Sequence, residues 1–150
     1  EDLQYHKQRK RNEMEIVFDA VSCNESFARV AVAAFITHLN PTLEELADIK
    51  TAVSEAVTNA IIHGYGKEAG EIFMDMTADP AEKMLTVCIT DTGAGIADVK
   101  KAMEPLYTTD TTGERSGMGF SFMEAFMDEV IVESEPGKGT AVTMKKHIGR

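Results

Sequence analysis

Two rhythms of apolar and polar positions organise the chain. Over residues 42–65 the rhythm is helical: Val53, Ala56, Val57, Ala60, Ile61 and Ile62 leave Glu55, Asn59 and His63 at every fourth position, a single polar stripe on an otherwise apolar helix. Thr42 and Glu45 give that helix a capping box, and Gly64 and Gly66 stop it. An earlier helix starts at Asn24 as N-cap, runs to about Leu39 and is ended by Pro41. Residues 14–18, 72–77, 84–90, 130–134 and 140–145 carry strand-like runs. The second and third form a hairpin around Pro80, and the last two are joined by Glu135–Gly139, where Pro136-Gly137 signals a type II turn. Short helices are predicted over 98–103 and from Gly119 through Phe126. This order predicts an α+β fold: a two-layer α/β sandwich with helices on one face of a mixed, largely antiparallel sheet.

Length and charge narrow the class. The 150 residues suffice for one domain with a sizeable core, expected over 13–147 behind a flexible leader at 1–12. No apolar run approaches the ~20 residues that span a bilayer, and no signal peptide is visible, so no membrane partner is expected. A formal net charge of −10 argues against direct nucleic-acid binding, which needs a basic footprint. Cys23 and Cys88 have neither metal-ligand spacing nor the density of a disulfide framework, so a cytoplasmic setting is the default. The helix over Phe27–Ile36 is apolar around most of its circumference, more than one sheet face covers, which predicts contact with a second protein. Arg29 interrupts it, four residues after Glu25. The two form either a surface pair worth roughly a few tenths of a kcal/mol or an anchor in a partner interface.

Three further stretches carry chemistry. Asp91-x-Gly93-x-Gly95 follows a buried strand: its glycines let the backbone come close to a flat ligand, and Asp91 can accept the exocyclic amine of adenine. Gly117-Met118-Gly119 opens a helix whose exposed N–H groups suit phosphate oxygens. Just before it, Arg115 can meet a terminal phosphate, and Thr108 and Thr109 can donate hydroxyls. The intervening segment, 106–118, reads as a loop and candidate lid. Gly137-Lys138-Gly139-Thr140 is first a hairpin turn, with Thr140 a candidate nucleotide contact. Asn59 is an oxygen donor suited to Mg²⁺, which travels with substrate phosphates, and Glu55 a candidate general base. There is no Walker A sequence and no Rossmann fingerprint in a parallel unit.

In this order, Glu-x-x-x-Asn on a helix, Asp-x-Gly-x-Gly after a strand, Gly-x-Gly at a helix start and then Gly-Thr, the chain resembles the Bergerat-fold ATPases, the superfamily of gyrase and histidine kinases. The segments Asn24–Arg29, Glu55–Tyr65, Glu114–Phe120 and Phe126–Ser134 make it similar to the anti-sigma F factors of spore-forming bacteria, from about Arg11 to Lys146. Tyr107 and Asp110-Thr111-Thr112-Gly113 depart from that family's lid. The resemblance implies a homodimeric serine-protein kinase that holds a sporulation sigma factor inactive and phosphorylates a serine on its anti-anti-sigma antagonist. It implies ATP or ADP with Mg²⁺ on Asn59, Glu55 as general base, Arg115 at the transferring phosphate and Arg29 on the partner-docking helix. Asp91, Gly93 and Gly95 take the adenine and Gly117 and Gly119 the phosphates, with His63, Ile96, Ser116 and Met118 as further cofactor-binding positions.

Three other readings stay open: a nucleotide-gated sigma-binding module without catalysis, a general-stress anti-sigma kinase with a different partner, and a histidine kinase catalytic domain. The last lacks a second helical segment with a phosphoacceptor histidine. The acidic charge predicts docking to basic regions of a sigma factor; a complex unaffected by added salt refutes that.

Overall fold

The computed structural model describes residues 11–104 and 119–149. Five strands and four helices follow in the order β1 (Asn12–Asp19), α1 (Cys23–Ile36), α2 (Leu43–Asn59), β2 (Glu71–Asp79), β3 (Met84–Asp91), α3 (Val99–Ala102), α4 (Phe120–Phe126), β4 (Glu129–Glu135) and β5 (Gly139–His147). The predicted α+β sandwich is the observed one. All four strand pairings are antiparallel, in the order β1-β2-β3-β5-β4. The expected lid over 106–118 lies outside the described residues, as does most of the expected leader, residues 1–10.

Strand alternation decides which face is covered. Ile16, Met74, Ile89, Val142 and Val132 stand opposite one another across the sheet, and Met74, Ile89 and Val142 are buried beneath the helices. Ile49, Val53 and Val57 of α2 meet this face fully buried, each worth about 1.5–3 kcal/mol of burial. α2 lies between α1 and α4, so it is the central helix of the layer.

α2 begins as predicted. Glu45 N donates to Thr42 Oγ1 at 3.0 Å and Thr42 N to Glu45 Oε1 at 2.9 Å, a closed capping box. Its other end differs. The α-helix stops at Asn59 and continues as a π-helical turn over Ala60–Tyr65, closed by Gly66 N donating to Ile61 O at 3.0 Å.

α1 also starts differently from expectation. Its N-cap is Ser22, while the Asn24 amide donates back to Asp19 O at 2.9 Å and ties the helix to β1. Ala28, Val32 and Ile36 are buried, but Phe27 and Val30 are 50% and 66% exposed, so the sheet does leave one apolar stripe of α1 uncovered. The β4–β5 hairpin turns as its sequence indicates: Lys138 N donates to Glu135 O at 2.9 Å and Gly137 has φ +81°, as at the third position of a type II turn. No helix among the described residues is long and apolar enough to cross a membrane.

Candidate functional site

A cleft opens where the end of α2, the loop after β3, the start of α4 and the start of β5 meet. Asn59, His63, Asp91, Gly95, Ile96 and Thr140 all line it. The sequence thus placed six cleft residues from separate segments of the chain. The apolar walls, Ala56, Ala60, Ile89, Phe120 and Val142, together with Gly64, carry no such motif. A signal for some of them existed: Ala56, Ala60 and Gly64 recur every fourth residue, small side chains beside the polar stripe that leave room for a ligand.

The stripe runs through two helical geometries. Glu55 and Asn59 stand on successive turns of α2, and His63 follows on the π-helical turn, exposed at the cleft mouth. Wider turns advance each residue by less than the 100° of an α-helix, which keeps His63 on the same side as the other two.

The π-helical turn also builds the floor. Its Gly64 carbonyl accepts Ala94 N at 2.7 Å. A Cβ on Gly93 would fall 2.0 Å from that same carbonyl oxygen, and a Cβ on Gly95 2.2 Å from the Glu135 carbonyl oxygen. Both glycines are therefore required by neighbouring protein backbone on two sides, rather than by the ligand alone. On the hairpin side, Gly137 N donates to Ala94 O at 2.7 Å and Ile96 N to Ser134 Oγ at 2.7 Å. Ser134 in turn donates to Gly139 O at 2.8 Å. Behind the loop, Thr92 N donates to the Tyr65 hydroxyl at 2.8 Å, and that hydroxyl donates to Glu71 O at 2.6 Å. The loop carrying Asp91 is clamped from three directions.

Asp91 is 5% exposed. Burial pushes its carboxyl up from the ordinary 3.8, against backbone hydrogen bonds from Gly93 and Thr140 that pull it down; the Gly93 bond to Oδ1 is 2.9 Å. A carboxylate has about four acceptor positions, so two such bonds leave it able to accept from a ligand amine. A buried acceptor in an apolar-walled cleft is a selective device, because a ligand lacking the matching donor leaves it unpaired.

Glu55, half-buried one turn before Asn59, does not line the cleft. Gly119 is buried, with φ +71°, where α4 begins. Thr108, Thr109, Arg115, Ser116, Gly117 and Met118 lie outside the described residues. Among the described residues no cluster of three His, Cys, Asp or Glu side chains could hold a metal. Asn59 presents the one side-chain amide that lines the cleft among the described residues. Arg29 is on α1, away from the cleft, and reaches α2 through Glu25 and Ser54.

The sequence matches the histidine kinase-like ATPase domain over residues 23–146. It is 57% identical over 141 residues to an anti-sigma F factor of Geobacillus thermodenitrificans, across 93% of this chain and 95% of the relative. Against an anti-sigma F factor of Pasteuria penetrans it is 53% identical over 139 residues, 93% of each chain. Against one of Clostridium acetobutylicum it is 57% identical over 135 residues, 90% of this chain and 93% of the other. The fold is similar to a structure of the RsbU and RsbW domains of Rv1364c from Mycobacterium tuberculosis, with TM-score 0.65 at 20% identity, covering 91% of this chain and 32% of that one. It is also similar to the catalytic domain of the histidine kinase ThkA, with TM-score 0.52 at 18% identity, covering 91% and 96%.

Proposed function

The chain belongs to the histidine kinase-like ATPase family and, within it, to the anti-sigma F factors, and from that membership we propose that it is an ATP-dependent serine-protein kinase that also sequesters a sporulation sigma factor. Its substrate is a serine on the anti-anti-sigma antagonist, and it works as a cytoplasmic homodimer. The observation that carries the reading is the meeting of Asp91, Asn59 and Thr140 in one cleft, with Glu55 one turn of α2 away.

Each residue has a task. Asp91 accepts the adenine amine at the buried end of the cleft and rejects guanine, whose carbonyl would face it. Ile96, Gly95 and His63 line the purine and sugar side, and Thr140 offers its hydroxyl from β5. Mg²⁺, when bound with the nucleotide, neutralises phosphate charge, and Asn59 supplies it an oxygen ligand. Glu55 accepts the proton of the substrate serine. By resemblance, Arg115, Thr108, Thr109, Ser116 and the N–H groups at Gly117, Met118 and Gly119 hold the phosphates. Arg29 docks protein partners on α1. Catalysis of this kind is mostly positioning and electrostatics.

The test is a pull-down from host lysate in Mg-ATP and then Mg-ADP, read by intact mass. The expected result is a sigma factor retained mainly with ATP and a small partner that gains one phosphate. A retained sigma factor with no phosphorylated partner in either condition removes the kinase and leaves a nucleotide-gated binding module.

A further inference from the structure

We infer that Glu25 is a positioning residue: it fixes the Arg29 guanidinium for a partner carboxylate and joins it to the helix that carries Glu55. The inference rests on the docking role of Arg29 proposed above. From sequence the two residues form an ordinary i,i+4 surface pair. The structure adds a third member from another helix. Glu25 Oε2 lies 2.6 Å from Arg29 Nε and accepts the Ser54 hydroxyl at 2.7 Å. Ser54 is 29 positions away in sequence and adjoins Glu55.

This changes the energetics of the pair. An exposed Glu–Arg pair gains little, because ordering two long side chains offsets the attraction. Here the carboxylate is 22% exposed and already held by Ser54, while the arginine side chain is 44% exposed. Only one partner remains to be ordered. Arg29 meets Glu25 through Nε and donates from Nη2 to Ser26 Oγ at 3.3 Å. A guanidinium has five N–H donors, so donors remain for a second, bidentate carboxylate. A partner gripping Arg29 therefore pulls on α2 two contacts later, next to the residue proposed as general base.

The test uses the host's anti-anti-sigma protein as substrate. KM and kcat are measured for wild type, Glu25→Ala, Glu25→Gln, Ser54→Ala, Arg29→Ala and the Glu25→Ala/Arg29→Ala double variant, with the ATP dissociation constant and unfolding midpoint of each. Glu25→Ala is expected to raise the protein-substrate KM about tenfold, the scale of one charge-assisted hydrogen bond, with ATP affinity unchanged. Glu25→Gln, which keeps a side-chain oxygen between Ser54 and Arg29, should stay near wild type, and Glu25→Ala should add nothing to Arg29→Ala. Ser54→Ala should raise KM without touching ATP affinity, and it carries the test if Glu25→Ala does not fold. A weakened Arg29→Ala beside an unaltered Glu25→Ala or Ser54→Ala overturns the role of Glu25 alone. Equal effects of Ala and Gln at 25 show that charge, not position, matters, and also overturn it. An unaltered Arg29→Ala, or a wild type that phosphorylates nothing, overturns the docking reading and this inference together.

Discussion

Ala94 N donates to Gly64 O at 2.7 Å, joining the loop after β3 to the end of α2. Gly93 sits against the same carbonyl with no room for a Cβ, which would approach to 2.0 Å. Gly93→Ala should therefore push the Asp91 loop off α2. The expected cost is about 1–3 kcal/mol of stability, as for overpacking elsewhere, together with at least about a tenfold loss of ATP affinity, since roughly 1.4 kcal/mol of lost binding suffices for that. Calorimetric titration with ATP and thermal unfolding read the two; a variant unaltered in both contradicts the clamp.

Asp91 should make nucleotide affinity and apo stability respond to pH in opposite senses. Burial raises its folded-state carboxyl above the ordinary 3.8 despite the Gly93 and Thr140 hydrogen bonds. The unliganded protein therefore binds more protons here than the unfolded chain. This contribution to stability is full below the unfolded value and is lost as pH rises through the folded one. ATP needs the carboxylate, so its affinity should fall on acidification with a midpoint above 3.8. Asp91→Asn should abolish that dependence and reduce discrimination between ATP and GTP. Titrations with both nucleotides across pH decide it.

Glu55→Gln should bind ATP like the wild type and lose about 10²–10⁴ in phosphoryl transfer, the usual worth of a general base. Single-turnover transfer to the protein substrate measures this. Unchanged turnover removes Glu55 as the base.

Glu45 should make stability fall in acid. Burial alone would raise its carboxyl, but hydrogen bonds from Thr42 and from Gly149 N, the latter 2.7 Å from Oε2, and the Lys146 charge outweigh burial and hold it below the ordinary 4.5. A depressed folded value means stability that is present above the unfolded value and lost as pH falls through the folded one. Glu45→Ala should cost about 1–3 kcal/mol near neutral pH, and the difference from wild type should shrink below pH 4.5. Urea unfolding at neutral and acid pH checks both halves.

Where a local pattern determines structure, it could be read in advance. The Thr42–Glu45 box, both hairpins and the strand alternation depend on residues within a few positions of one another, and each formed as its sequence indicated. The cleft residues of α2, of the Asp91 loop and of β5 were legible through residue type and spacing. The features that could not be read depend on distant partners. Asn24 bonds to Asp19 O instead of capping its own helix. The insertion of β5 between β3 and β4 leaves no trace in the apolar run Val130-Ile131-Val132, although Ile131 is 39% exposed. Ser134 serves the site from β4 by holding Ile96 N, and nothing near it in sequence points there. The burial of Ile148 and the bond from Gly149 N to Glu45, 104 positions earlier, likewise have no local signal.

The π-helical turn over Ala60–Tyr65 is, geometrically, a helix holding one residue more than its turns accommodate. Removing one residue between Asn59 and Gly64 would let the bonds fall back to the ordinary spacing, and because an ordinary step sweeps more than a step of the wider turn, the chain beyond would keep nearly the same direction. Gly64 would stay close to its seat under Ala94 while the side chains between it and Asn59 changed places. The extra residue is thus local slack: it decides which side chains stand between Asn59 and Gly64 and leaves the path of the chain beyond nearly as it was.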